Sequence, residues 1–293
     1  MTAATPEFSI VLPARNEAPA LRGLLPVLRE RFPQAQIVVV NDGSTDATLD
    51  QLVQAFDLRP ILRPFRPSLA KKPVRGLYAS PRQPRLLVVD KANGGKSDAL
   101  NAGLDLAETP LVCSVAADSL LETDSLLRAV QPFVDDPERT AIVGGNIRVI
   151  NGCLVRHGRI KAVRLPTRLL ALLQTVEYLR AFMMARLAWE RLGVLMIVSG
   201  AFGIFKRELA VAVGGYSDAT VGEDLELVVR IHRHLRARGE DYAIRYVPEP
   251  VCWTQVPEQL GTLARQRIRW QRGALESLAI HRRMFRERTG GLR

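Results

Sequence analysis

Two short stretches carry residue types from which a transfer reaction could be built. Residues Val221–Asp224 read Val-Gly-Glu-Asp, and forty-two residues after Asp224 comes Gln266, which opens the run Gln-Arg-Ile-Arg-Trp ending at Trp270. The Asp224 carboxylate can take a proton. Gln266 and the arginines supply directed donors, and an arginine fork suits phosphate oxygens. The Trp270 indole adds a flat apolar face with one N–H. Together they fit a reaction in which a phosphate leaves while a hydroxyl attacks.

The chain that must position these groups has 293 residues, 47% hydrophobic and 24% charged, enough for a packed core and against disorder. Its formal charge of +11 is uneven. Leu58–Lys96 holds ten Lys or Arg against one acid, and Thr254–Arg293 nine Arg against three Glu. Two local basic regions suggest a polyanionic ligand, a nucleic acid or an anionic membrane face. Aromatics make up only 6% and are not interleaved with those charges, which argues against nucleic acid. Cys113, Cys153 and Cys252 lack metal spacing and are expected to be reduced and buried, in a cytoplasmic setting. His157, His232, His234 and His281 show no zinc spacing and are expected to be surface or packing residues. The start of the chain lacks a basic-then-apolar leader, and Val194–Phe205 is too short to span a bilayer, so a soluble or peripheral chain is expected.

Apolar runs at Phe8–Leu12, Ile37–Val40, Leu86–Val89 and Leu111–Val115 read as buried strands. Helical patterns follow the first, second and third of them, and the whole reads as a mainly parallel α/β sheet covered on both faces. Ligands of such sheets sit beyond the carboxyl ends of the strands. There lie Arg15-Asn16-Glu17, Asn41–Asp46, Asn93–Asn101 and Ala116–Ser119. Gly94 and Gly95 open a helix and would let backbone N–H groups approach an anion, with Lys96 nearby, though the spacing is not that of a P-loop. A GxGxxG after the first strand is missing, which argues against a dehydrogenase. Arg59–Arg85 is rich in Pro and Arg and reads as mostly loop. Another helix is expected near Asp124–Phe133 and a strand near Ala141–Val149. Leu165–Leu195 is a long apolar helix pattern, read either as core or as an interface with membrane or acceptor. Gln259–Phe285 is amphipathic and basic.

Seven stretches in order resemble the inverting family 2 glycosyltransferases: Pro13–Glu17, Asn41–Asp46, Asn93–Asn101, Ala116–Asp118, Ser199–Gly203, Gly222–Asp224 and Gln266–Trp270. The likeness is greatest to the processive membrane group of cellulose, chitin, hyaluronan and poly-N-acetylglucosamine synthases, and it runs from about Phe8 to Arg283. It implies one GT-A domain over residues 1–293, with a Rossmann-like, mainly parallel sheet flanked by helices. The nucleotide-binding half would be about 1–120 and the acceptor-binding half about 121–293. It further implies a UDP-sugar donor, a saccharide acceptor, Mg²⁺ or Mn²⁺, and no nucleic acid. In the related synthases such amphipathic segments lead into transmembrane helices, so a place at the inner face of the cell membrane is expected.

Carried over by position, the resemblance makes Asp224 the catalytic base and Asp118 the metal ligand. It puts Pro13, Arg15, Glu17 (near the ribose), Asp42 (at the base), Lys96, Asp98, Gln266 and Arg269 on the donor. Trp270, Gly200 and Glu223 fall to the acceptor. Two positions depart from the family. Asn41 stands in place of the first acid of Asp-Asp-Gly, and Ala116 in place of the first acid of Asp-X-Asp. Mg²⁺ often takes only one or two carboxylates beside substrate phosphates, so Asp118 with a diphosphate could suffice. The same departures motivate an alternative, a nucleotide-sugar-binding pseudoenzyme. Each stretch alone also has a plainer use: acids at Gly222–Asp224 favour a helix N-terminus, and Asn41–Asp46 could merely turn and cap.

Overall fold

The computed structural model describes residues 6–285 apart from 66 and 157. His157, Arg66 of the basic loop, the last basic residues and the first five residues lie outside the described residues. In chain order the first elements are β1 (Phe8–Ala14), α1 (Ala18–Arg31), β2 (Gln36–Asp42), α2 (Thr48–Phe56), β3 (Arg59–Pro60), β4 (Val74–Ser80), β5 (Gln83–Lys91), α3 (Gly95–Leu106) and β6 (Leu111–Val115). Next come β7 (Leu120–Leu121), α4 (Ser125–Asp135), β8 (Thr140–Val149), β9 (Leu154–Arg156), β10 (Arg159–Ala162), α5 (Leu169–Tyr178), a π-helical stretch Leu179–Ala185 and α6 (Arg186–Arg191). The chain ends through β11 (Phe202–Lys206), α7 (Arg207–Ala212), α8 (Glu223–Ala237), β12 (Ala243–Thr254) and α9 (Leu260–Ile280), with a short 3₁₀ turn after it.

Two compact units emerge. The first comprises Pro6–Asp118 with Phe205–Asp218; the second comprises Ser119–Ile204 with the chain from Ala219 onward. In the first the strand order is β3-β4-β5-β2-β1-β6. β2 pairs in parallel with β1 and β5, and β1 with β6. All seven residues of β2 are buried, and its apolar middle Ile37–Val40 is what a strand covered on both faces requires. α1 lays Ala18, Leu21, Leu24, Leu25 and Leu28 inward, the i, i+3, i+4 stripe of a one-faced helix.

Loop makes up the larger part of Arg59–Arg85, as expected, but not all of it. It contains β3, β4 and the start of β5, joined antiparallel at the sheet edge. An edge strand needs few apolar positions; β4 buries only Leu77 and Ser80 fully, so composition hides it. In the second unit β12 pairs in parallel with β8 and antiparallel with β7. The register of β12 shifts around Pro248 and Pro250, where bulges accommodate residues that cannot complete a ladder. The long helix read over Leu165–Leu195 begins at Leu169 and ends at Arg191, with the π-helical stretch in its middle. Cys113 and Cys252 are buried as expected, whereas Cys153, in the turn before β9, is only half-buried.

Candidate functional site

In the first unit the carboxyl ends of four strands set their loops side by side, because Ala14 pairs with Asn41, Asn41 with Asp90, Asp42 with Lys91 and Val11 with Ser114. Pro13, Arg15, Glu17, Asp42, Lys96, Asp98 and Asp118 all fall at this end. The first two loops are stitched together at Asn16, whose φ of +60 is one asparagine tolerates. The Asn16 N–H donates to Ser44 Oγ at 3.0 Å, and Asn16 Oδ1 accepts the Thr45 N–H at 2.9 Å. Glu17 is half-buried, and burial raises its pKa above the ordinary value, aided by the negative charges of Asp118 and Asp46. Three carboxylates thus share one field, and Asp118 is exposed.

The carboxylates behind this surface are already occupied. Asp42 is buried; its Oδ1 accepts Lys91 Nζ at 2.7 Å and the Gly94 N–H at 2.9 Å, and its Oδ2 accepts the Gly95 N–H at 2.8 Å and Asn93 Nδ2 at 3.1 Å. A carboxylate has about four acceptor positions. Four donors fill them here, and through these contacts Asp42 holds the loop that opens α3. The Gly94 and Gly95 amides, expected to meet a ligand anion, bind Asp42 instead. Asp98, expected on the donor, is likewise buried; it accepts the Lys71 N–H at 2.5 Å and lies 2.6 Å from Lys91 Nζ. One and two turns further along α3, Asn101 grips Tyr216 through both backbone groups, and Asp105 accepts the Ser68, Leu69 and Ala70 amides. Lys96 is exposed.

Asp224 sits in the first turn of α8 in the second unit, half-buried, with Oδ1 accepting the Leu225 N–H at 2.9 Å. Its charge acts on Arg186, a 7%-exposed guanidinium stacked 3.8 Å from the Phe182 ring centroid just after the π-helical stretch. Burial lowers the Arg186 pKa, and the Tyr246 hydroxyl and Asp224 work against it. Trp270 is 39% exposed with Arg267 4.5 Å above its ring, and Arg267 pairs with both oxygens of Glu177 on α5 at 2.6 Å. Gln266 is half-buried with Oε1 lacking a hydrogen-bond partner, Arg269 is exposed, and Glu223 and Gly200 are half-buried.

The sequence profile described as "Glycosyltransferase like family 2" matches residues 75–273, which take in Asp118, Asp224 and Gln266–Trp270. The chain belongs to glycosyltransferase family 2. It is 27% identical over 272 residues to a poly-beta-1,6-N-acetyl-D-glucosamine synthase of Staphylococcus epidermidis, covering 92% of this chain and 55% of the relative. The same enzyme of Staphylococcus aureus strain COL gives 27% over 273 residues with the same coverage. The chain spans about half the length of the curated relatives it matches. Among solved structures, the mannosyltransferase PcManGT from Pyrobaculum calidifontis, in complex with GDP-Man and Mn²⁺, is similar at TM-score 0.67 and 22% identity, covering 96% of this chain and 65% of that one. TarS of S. aureus, in complex with UDP-GlcNAc, gives TM-score 0.54 and 16% identity, over 86% and 59%. The fold is the GT-A arrangement of these glycosyltransferases.

One departure of this chain from the family pattern has a local cause. Asn41 Nδ2 donates to Asp90 Oδ1 at 2.7 Å, and Asn41 Oδ1 accepts Ser44 Oγ at 2.5 Å. An aspartate there would set two buried carboxylates against each other, so Asn41 suits its neighbour. Nothing in the structure explains Ala116. Among the described residues no three Asp, Glu, His or Cys are grouped to hold a metal by themselves. Sequence reasoning missed Lys91 and Arg186. A lysine two residues after the apolar run Leu86–Val89 was the available signal, and only for the first.

The helices around Trp270 expose apolar side chains: Leu169, Leu173 and Val176 on α5 are 69%, 57% and 61% exposed, and Leu260, Ile268 and Leu275 on α9 are 74%, 67% and 67% exposed. Core packing, one of the two expectations for Leu165–Leu195, is therefore not the role of this face. Among the described residues no helix is long and apolar enough to cross a membrane.

Proposed function

We propose that this chain is the catalytic domain of an inverting glycosyltransferase of polysaccharide synthesis. It transfers a hexose or N-acetylhexosamine from a UDP-sugar to a saccharide acceptor. The observation that carries the reading is the family match over residues 75–273, a span that includes Asp118, Asp224 and Gln266–Trp270. The named activity of the synthase relatives favours N-acetylglucosamine as the sugar.

In this reading Asp224 takes the proton of an acceptor hydroxyl. The oxygen attacks the anomeric carbon from the face opposite the diphosphate, the bond from that carbon to the diphosphate oxygen breaks, and the nucleoside diphosphate departs with the electron pair. Base catalysis of this kind supplies roughly 10²–10⁴-fold. Gln266 and Arg269 hold the departing oxygens. Pro13, Arg15 and Glu17 line the nucleoside, and Lys96 reaches the donor; Asp42 and Asp98 act behind them by holding the loops. Trp270, Gly200 and Glu223 border the acceptor.

Asp118 would hold a divalent ion, Mg²⁺ or Mn²⁺, which supplies charge neutralisation at the diphosphate. The acids support this: Glu17, Asp46 and Asp118 raise the local negative potential yet fall short of a closed cage, which suits an ion sharing its ligands with substrate oxygens. The exposed apolar faces of α5 and α9, flanked by arginines, favour peripheral contact with the inner face of the cell membrane.

A screen of UDP-sugars with Mn²⁺ or Mg²⁺, reading UDP release with and without acceptor, tests the proposal. Asp224→Asn should abolish transfer and spare UDP binding; unchanged turnover in that variant refutes the assignment. Ala116 favours a second reading, a donor-binding pseudoenzyme, which release from no donor would support.

A further inference from the structure

The turn that carries Asp224 and the helix that carries Gln266–Trp270 meet without intervening side chains. A Cβ built on Gly273 would lie 2.7 Å from both Cα and N of Gly222, and one built on Gly222 would lie 2.9 Å from the Gly273 carbonyl carbon. Backbone thus rests on backbone, two residues before the base and three residues after the tryptophan. Polar contacts flank the crossing. The Val221 N–H donates to Glu276 Oε2 at 3.0 Å, and Thr220 Oγ1 donates to Gly273 O at 3.3 Å. One turn into α8, buried Glu226 meets buried His281 at 3.0 Å, where α9 ends. His281 Nδ1 accepts from Arg233, so Nε2 carries the proton to Glu226. Contacts at Gly273 and Glu276 tie the turn to α9, and the one at His281 ties α8 to the residue that caps α9.

We infer that this crossing is a positioning device for transfer: Gly222, Gly273 and Glu276 set the separation between the Asp224 carboxylate and the Gln266–Trp270 segment. The inference rests on the reading given under the proposed function, in which Asp224 is the base and that segment attends the leaving diphosphate. Ordinary contact distance for a Cβ is 3.4 Å or more, so an alanine at Gly273 must part turn and helix by several tenths of an ångström or more. Displacements near 1 Å at a reacting centre cost on the order of 10²-fold in rate.

The test measures kcat for transfer from UDP-GlcNAc in the presence of Mn²⁺, together with the stoichiometry and affinity of UDP binding by calorimetry. Gly273→Ala should lower kcat on the order of 10- to 100-fold, with one UDP still bound per chain and its affinity changed less than threefold. Glu276→Ala, at a partly exposed position, should lower kcat about tenfold; Glu276→Gln should restore it, since the amide oxygen still accepts the Val221 N–H. Gly261→Ala, on the same helix with only Arg265 nearby at 3.7 Å, should behave as the parent. A kcat within twofold of the parent in both Gly273→Ala and Glu276→Ala overturns the inference. So does a fall in UDP stoichiometry that parallels kcat, which marks a folding defect. Asp224→Asn separates the two levels. Activity in that variant sinks the underlying reading, whereas its inactivity beside a fully active Gly273→Ala sinks only the positioning role.

Discussion

Lys91 is 0% exposed, and its ammonium lies 2.7 Å from Asp42 and 2.6 Å from Asp98, donating as well to Ala92 O at 2.8 Å. Lys91→Met keeps the stem's apolar bulk and removes the charge. Breaking a buried ion pair by deleting one partner costs about 3–5 kcal/mol. Here two carboxylates lose a partner, yet each keeps backbone donors: Asp42 the Gly94 and Gly95 amides, Asp98 the Lys71 and Lys72 amides. The lower end, about 3 kcal/mol, is therefore expected, and for a chain of this size that lowers Tm by about 6–12 °C. The loops at 71–72 and 93–95 lose part of their anchor, so UDP affinity should fall with stability. Scanning calorimetry reads the first effect and isothermal titration the second. The double variant Lys91→Met/Asp98→Asn should recover part of the loss by removing one uncompensated charge. A Lys91→Met protein melting within about 2 °C of the parent would refute the argument that this lysine is the keystone of the donor loops.

Two further outcomes follow from the same geometry. Ala116→Asp restores a second carboxylate near Asp118, and the Mn²⁺ concentration giving half-maximal transfer should drop about tenfold; an unchanged metal titration would show that position 116 does not reach the ion. His232 is held neutral in the fold: burial lowers its pKa to about 4, with Arg236 adding to the effect and the hydrogen bond to Leu195 O opposing it. The unfolded ring, at 6.5, binds the proton more readily, so this contribution to stability is complete above pH 6.5 and is lost as pH falls toward 4, by about 3 kcal/mol in all. Urea unfolding of His232→Gln between pH 7 and pH 4.5 should show a flatter pH dependence than the parent, and equal slopes would discount the histidine.

Much of the first unit was legible because parallel strands buried on both faces demand apolar residues at every position. Ile37–Val40 and Leu111–Val115 announce themselves for that reason. The strands β3 and β4 at the sheet edge and the proline-bearing β12 did not, since strands at an edge and a bulged strand carry no such uniform demand. The acids and the Gln-Arg-Ile-Arg-Trp run were visible as types in order. Their division of labour was not: Asp42 and Asp98 look like ligand-binding acids in sequence, and the fold turns both inward onto Lys91 and backbone amides.

What the linear chain settled by itself was the family and the residue types available for chemistry, because motif spacing and burial periodicity are local properties. Which carboxylates face a ligand and which brace a loop was left to tertiary structure. So was the meeting of Gly222 with Gly273, fifty-one residues apart. Pairings across such separations depend on how strands and helices pack, and no single stretch of sequence carries a record of its distant partner.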